Sequence, residues 1–302
     1  MVAVEDLGAA VREVSGRSAA SVVAVGRHGR GSGFVVATNR VLTNAHNLRD
    51  RTTEIEFADG RTAQGEVVGS DVDGDLVVLD VETADAPALA WSEQPAAVGD
   101  VAVAVTAGRR QRRATWGQVT RADAAFRGPR GRRIHGAVEH TAPCAPGSSG
   151  APVLDLAGNV VAVNTHRLEH GFYLGRAADG QLRDVVSAMV EGRTFERLTL
   201  GVALAPSDVA ARLRRSVGLP ERDGLLVRGV VDGSPAASAG VQEGDLLVRA
   251  GDRDLTKADD LFEVLAGTAQ DGTLTVTLVR GTDEQTVTVR FTSTDTDKGM
   301  ST

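Results

Sequence analysis

Ser149 stands in Gly147-Ser148-Ser149-Gly150-Ala151-Pro152, at the entrance to an alternating apolar run from Val153 to Val163. Upstream, Thr43-Asn44-Ala45-His46 and Asp75-Leu76-Val77-Val78-Leu79 set a histidine and a carboxylate at the edges of apolar runs. A serine hydroxyl is a weak nucleophile and needs a base beside it. Imidazole titrates near neutrality and can take the proton. A carboxylate on its other ring nitrogen fixes the tautomer and stabilises the imidazolium. The three residues read as an acyl-transfer triad: Ser149 the nucleophile, His46 the general base and then acid, Asp75 the orienter. Asp71 and Asp73 compete with Asp75, but Asp75 directly abuts the apolar strand, where a buried carboxylate can sit under the histidine. Gly147 lets the backbone turn so that the amides of Gly147 and Ser149 converge as an oxyanion hole, worth roughly 2.7–4 kcal/mol per donor removed. Singly, each piece has a plain reading, His46 as a satisfied histidine and Ser149 as a turn serine. Order and context together favour the triad.

The chain that must position these residues has 302 residues, enough for two domains with a core in each. It is 42 % hydrophobic and 24 % charged, an ordinary globular balance. Aromatics are only 3 %, so Val, Leu and Ala must fill the interior. A net charge of −7 argues against a dedicated nucleic-acid binder. Cys144 is the single cysteine, so the fold does not depend on an intrachain disulfide. No run approaches the ~20 apolar residues of a membrane span, and Glu5 and Asp6 stand where a signal peptide carries basic residues. With Met1 as the natural start, the expected compartment is the cytoplasm; a trimmed start would allow a periplasmic or extracytoplasmic one.

Val4, Leu7, Val11 and Val14 fall at helical spacing, which predicts a short helix within an N-terminal segment 1–21. Short β-rich runs divided by Gly, Asp, Asn and Arg clusters then continue to Phe172-Leu174, the pattern of a sandwich or a barrel. A helix over Leu182-Glu191 closes this domain, 22–192. A polar connector, 193–197, leads into a compact β-rich module, 198–292. Its expected strands are Leu198-Leu204, Gly224-Val231, Leu246-Arg249, Leu274-Arg280 and Gln285-Phe291, with helices over Pro206-Arg215 and Lys257-Ala266. The small polar tail 293–302 is expected to be disordered.

Gly31-Ser32-Gly33-Phe34, Thr43-Asn44-Ala45-His46, Asp75 to Leu79, Pro146 to Pro152 and Val163-Asn164-Thr165 resemble the HtrA/Deg family of serine proteases. Gly224-Leu225-Leu226-Val227, Gly233-Ser234-Pro235-Ala236-Ala237 and Gly244-Asp245-Leu246-Leu247 resemble that family's PDZ domain. The resemblance implies a mainly β protein: a chymotrypsin-like double six-stranded β-barrel with the triad in its cleft, followed by a PDZ domain. It implies an endopeptidase acting on unfolded or damaged proteins, without metal, nucleotide or other cofactor. It also implies capture of peptide C-termini by β-augmentation, with the amides of Leu225, Leu226 and Val227 as carboxylate donors and with regulation of the protease as a consequence. A homotrimer is among the assemblies it implies, although no aromatic precedes Phe34 where the family's trimers use N-terminal aromatics.

The chain departs from the family at several points. Ser148 replaces the usual Asn and Ala151 the usual Gly, without loss of a catalytic group. Pro143 stands where trypsin-like specificity for Arg or Lys needs an acid. Cys144 and Thr165 are the expected pocket residues by resemblance, and a small apolar side chain (Val, Ala or Ile) is the expected cleavage-site residue. The stretch His166 to Arg176 replaces an apolar, Gly-rich loop. Within it, His166-Arg167-Leu168-Glu169-His170 fits a zinc-hydrolase pattern, but β-runs on both sides and Gly171 argue for a loop instead of the helix that pattern requires. Nine arginines from Arg109 to Arg133 surround Trp116 and Phe126 and read as solvated loop charge, with an acidic partner as the alternative. Cys144, without a Gly-flanked hole of its own, reads as a small buried hydrophobe. The competing functional class is a weakly active or inactive protease-like PDZ adaptor or chaperone that binds peptides.

Overall fold

The computed structural model describes residues 4–108, 112–127, 133–195, 198–268 and 272–291. The expected tail 293–302 and residues 196–197 of the connector lie outside them. The chain divides into two units, Met1–Glu196 and Arg197–Thr302.

Val-rich segments separated by tight turns build the first unit. Helix α1 (Val4–Ser18) leads into β1 (Val22–Val25), β2 (Gly31–Ala37), β3 (Arg40–Thr43), β4 (Thr52–Glu56), β5 (Thr62–Asp71) and β6 (Leu76–Asp80). These run β5-β4-β1-β2-β3-β6, and β5 pairs with β6 to close a six-stranded barrel. The next six strands are β7 (Val101–Thr106), β8 (Arg113–Arg127), β9 (Arg133–His140), β10 (Pro152–Leu154), β11 (Val160–Arg167) and β12 (Tyr173–Ala177). They form a second closed barrel in the order β10-β11-β12-β9-β8-β7. Closure leaves neither barrel an open edge for aggregation.

Helix α2 (Gly180–Val190) follows, its N-terminus capped by the Asp179 carboxylate, which accepts from the Leu182 amide at 2.7 Å. Its apolar side, Leu182, Val186 and Met189, packs with Val14 of α1, Phe34 and Leu42 of the first barrel and Val103, Leu154 and Val163 of the second. One apolar cluster thus joins both barrels and both helices, and each buried Leu or Phe in it contributes about 1.5–3 kcal/mol. The short β13 (Thr194–Phe195) pairs in parallel with β5. The barrels hold further cores of their own, Val23, Val35, Ile55 and Leu79 in the first and Val119, Val138 and Val153 in the second.

The second unit contains β14 (Val202–Ala205), α3 (Ser207–Ser216), β15 (Leu225–Val230), α4 (Pro235–Ser238), β16 (Leu246–Ala250), β17 (Arg253–Asp254), α5 (Ala258–Ala266), β18 (Thr273–Arg280) and β19 (Asp283–Arg290). The sheet order is β14-β15-β16-β18-β19, with β17 beside β16. Leu198, Leu200, Leu225, Leu247, Leu261, Leu265 and Phe291 share its core, with Val202 and Leu204 packed against it. Asp245, 1 % exposed, takes two 2.8 Å hydrogen bonds from Arg280, so a buried carboxylate there has its charge partner.

Candidate active site

The loop after β3 and the turn before β6 are bound to each other through Asp75. Asp75 adopts φ 59°, a left-handed backbone that aspartate tolerates better than most residues. Its carbonyl accepts from the Ala45 amide at 3.1 Å and from Asn44 Nδ2 at 2.8 Å. Its fully buried carboxylate accepts from the His46 amide at Oδ1, 3.0 Å, and lies 2.6 Å from His46 Nδ1 at Oδ2. A carboxylate only accepts, so Nδ1 carries the ring proton and Nε2 keeps its lone pair. Thr165 Oγ1 adds a third donor at Oδ2, 3.1 Å away.

Ser149 belongs to the second barrel's loop, yet the first barrel holds it. Its carbonyl accepts from Ser32 N at 2.9 Å and from Asn47 Nδ2 at 2.8 Å. Ser32 Oγ donates to the Gly147 carbonyl at 2.8 Å, and Thr43 Oγ1 to the Ser32 carbonyl at 2.7 Å. Gly147 and Gly150 have φ of 93° and 85°, so the loop reverses on both sides of the serine. The amides of Gly147 and Ser149 have no protein hydrogen-bond acceptor among the described residues. The Ser149 hydroxyl donates to the Thr165 carbonyl at 3.2 Å, its one hydrogen bond among the described residues. The structure therefore brings His46 and Asp75 into direct contact and ties the Ser149 loop to the strand and loop that flank them.

Asp71, the rival carboxylate, has another task. It accepts from the Gly74 amide at 2.8 Å and pairs with Arg176, whose guanidinium also donates to the Gly74 carbonyl at 3.0 Å. Arg176, inside the stretch that departs most from the family, thereby fastens β12 to the turn presenting Asp75.

Cys144 is buried with Ala104, Ala142 and Tyr173, and burial pushes its thiol up to about 11. It stays protonated at neutral pH, which removes it as a nucleophile. The Thr165 side chain faces Asp75, next to a bulge between Asn164 and His166, while its carbonyl meets the Ser149 hydroxyl. His166 lies on β11, while His170 sits in a one-turn segment at φ 61°, so no helix presents the pair to a metal. Arg112 of the basic cluster is exposed and also tied to the first barrel: its Nη1 reaches the Val22 carbonyl at 2.5 Å and its Nη2 the Glu56 carbonyl at 3.3 Å. Arg109, Arg110, Arg130 and Arg132 of that cluster lie outside the described residues.

The expectation for Leu225, Leu226 and Val227 is corrected. They begin β15, which lies between β14 and β16. Leu226 is paired with Ala205 on one side and Leu246 on the other, and the Val227 amide donates to the Asp245 carbonyl at 2.8 Å. An interior strand cannot accept a further one; β14 and β19 stand at the two ends of this sheet, and β14 is the end strand beside β15.

His140 lies behind the Ser149 loop, fully buried, its Nε2 3.4 Å from Asn164 Oδ1 and its ring stacked on Tyr173 at 5.7 Å. Asn164 in turn donates to Ser148 Oγ at 3.1 Å. Burial pushes the imidazole down from 6.5 to about 4. Below pH 6.5 the unfolded chain binds a proton here that the folded chain refuses until about pH 4, so acid destabilises across that window. The loss at full development is on the order of 3 kcal/mol. We expect His140→Gln to flatten the fall in melting temperature between pH 6.5 and 4; an unchanged slope would assign the acid sensitivity to other groups.

Comparison with known proteins agrees with this architecture. A profile described as "Trypsin-like peptidase domain" matches residues 31–163, and one described as "PDZ domain" matches 199–291. The chain carries a trypsin-like peptidase domain followed by one PDZ domain, and its relatives are serine proteases of the same layout. It is 28 % identical over 277 residues to the putative serine protease HhoA of Synechocystis, covering 87 % of this chain and 70 % of that protein. It is also 28 % identical over 292 residues to a probable periplasmic serine endoprotease, DegP-like, of Brucella suis, covering 90 % of this chain and 54 % of the relative. The chain thus spans about half the length of the DegP-like relative. The solved HtrA-type protease AlgW, a complex with a decapeptide, superimposes with a TM-score of 0.70 at 21 % identity, covering 93 % of this chain and 97 % of that one. No helix among the described residues is long and apolar enough to cross a membrane.

Proposed function

We propose that this chain is an HtrA/Deg-type protease that cleaves peptide bonds in unfolded or damaged proteins by acyl transfer at Ser149. Residues 22–192 act as the protease domain, 193–197 as the linker and 198–292 as the PDZ domain. The observation that carries the catalytic reading is the buried Asp75 carboxylate, 2.6 Å from His46 Nδ1, beside the Asn47 side chain that seats the carbonyl of Ser149. With Nδ1 protonated, Nε2 is the free base. In the reaction the Ser149 hydroxyl swings from the Thr165 carbonyl, Oγ attacks the scissile carbonyl carbon, and its proton passes to Nε2. The amides of Gly147 and Ser149 receive the oxyanion. Collapse expels the amine, which takes the proton from His46, and leaves an acyl-enzyme. Water, deprotonated by the same imidazole, attacks the acyl carbon and frees Ser149.

Cys144, packed with Tyr173 and the small Ala104 and Ala142, favours a small apolar cleavage-site residue such as Val, Ala or Ile. A substrate panel that prefers Arg would reject that part. In the second unit, a peptide C-terminus adds along the open side of β14. Its carboxylate meets the turn Leu198 to Gly201, where Gly201 has φ 76° and Leu198 and Leu200 anchor in the core. With a single cysteine, the fold needs no oxidising compartment.

A fluorophosphonate that modifies activated serines tests the catalytic reading. We expect labelling of the whole protein at Ser149, with its loss in Ser149→Ala and at least a hundredfold slowing in His46→Ala. Absence of labelling, with peptide binding retained, would favour the adaptor.

A further inference from the structure

A second histidine stands beside the pair that activates Ser149. His166 follows Thr165 at the β11 bulge, and its ring centroid is 6.4 Å from that of His46. Phe126 of β8 packs on it from behind at 5.0 Å. We propose that His166 is a positioning residue of the acyl-transfer site, holding the Thr165 hydroxyl proton on Asp75 so that the carboxylate stays set for His46. The inference rests on the serine endopeptidase reading and adds a residue to it.

Counting protons carries the argument. Thr165 Oγ1 is 3.1 Å from Asp75 Oδ2 and 3.1 Å from His166 Nδ1. The hydroxyl has one proton, and the carboxylate can only accept it. If both contacts are hydrogen bonds, His166 Nδ1–H must donate to Thr165 Oγ1. That bond fills a lone pair of Oγ1 and stops the hydroxyl from turning its proton toward His166. The proton then stays on Oδ2, the same oxygen that lies 2.6 Å from His46 Nδ1. The relay runs His166 Nδ1–H to Thr165 Oγ1–H to Asp75 Oδ2, with His46 Nδ1–H arriving from the other side. Burial and the nearby His46 hold His166 below the usual imidazole range, while Asp75 opposes them. A neutral ring has a single N–H, which this geometry assigns to Nδ1. Asp75 and His46 are the titratable groups that face it.

The test uses the full chain and two readouts. Nitrogen chemical shifts of the histidine rings report the tautomer without any need for activity. At neutral pH, His166 is expected as Nδ1–H; an Nε2–H ring overturns the proposal. Fluorophosphonate labelling of Ser149 supplies the rate. His166→Ala is expected to slow it about fivefold, the scale of one hydrogen bond. His166→Asn, whose amide can give the same bond, should recover most of that loss. In a Thr165→Val background, His166→Ala should cost little more, because the relay is already cut. Equal losses in both backgrounds, or no recovery with Asn, would overturn the role. If the Ala variant does not fold, the Asn variant and the tautomer still decide. Failure of the unsubstituted chain to label would bring down the endopeptidase reading and this role with it. A flat response confined to the His166 variants would remove this role alone.

Discussion

Asp75→Asn is expected to lower kcat about 10⁴-fold while the protein stays folded. The direction of the amide follows from the contacts around it. The His46 backbone amide donates to Oδ1, so the Asn carbonyl oxygen must take that position. The NH₂ group then replaces Oδ2 and faces two groups that were donors, His46 Nδ1 and Thr165 Oγ1. Nδ1 can meet an N–H only as an acceptor, which moves the ring proton to Nε2. An imidazole with Nε2–H cannot take the proton of Ser149. Binding should change far less than turnover, because the substituted group does not touch substrate. Steady-state kcat and KM on one peptide, with a melting curve as the fold control, check this. Activity within tenfold of the unsubstituted protein would mean that Asp75 is not the orienting group.

Gly150→Ala should disable the site by a steric route and cost stability as well. A Cβ at Gly150 would lie 2.2 Å from the Ser32 carbonyl oxygen and 2.5 Å from Thr43 Oγ1, at a φ of 85° that disfavours any side chain. The backbone must retreat, and the retreat breaks the seat of the Ser149 carbonyl on Ser32 and Asn47. We expect a loss of several kcal/mol in unfolding free energy and more than about a hundredfold slower labelling of Ser149. Gly158 supplies the control. Its φ is 89°, but only the tip of Arg17 lies within 4 Å of its Cβ position. Gly158→Ala therefore carries backbone strain without the clash, about 1 kcal/mol, and should leave labelling unchanged. Equal behaviour of the two variants would show that strain alone is at work at Gly150.

Residues that begin or end apolar runs were legible in the sequence. Asp75 before Leu76 and Ser149 before Val153 stand where the runs placed them, because burial of Val and Leu fixes strands and strand ends fix their neighbours. Strands with a solvated face were harder to read. Only Val67-Val68 marked β5, which runs from Thr62 to Asp71 with Thr62, Gln64 and Glu66 exposed. Strand order was not legible either. An apolar run such as Leu225 to Val227 looks the same inside a sheet as at its edge, and only distant pairing with Ala205 and Leu246 tells them apart. Leu198 and Leu200 read as strand but are apolar anchors of a turn before Gly201. The contact of Thr165 with Asp75 lies next to a one-residue bulge that no local pattern announced.

The seat of the Ser149 loop on Ser32 and Asn47 bears on when the enzyme becomes active. On the proposed triad, a nascent polypeptide finished only through the first barrel holds His46 and Asp75 but has no serine to activate. One that has just added the second barrel gains its nucleophile, yet the loop keeps its shape only by docking on segments made more than a hundred residues earlier. On that assignment, cutting power would arrive late in biosynthesis, after both halves are complete and docked.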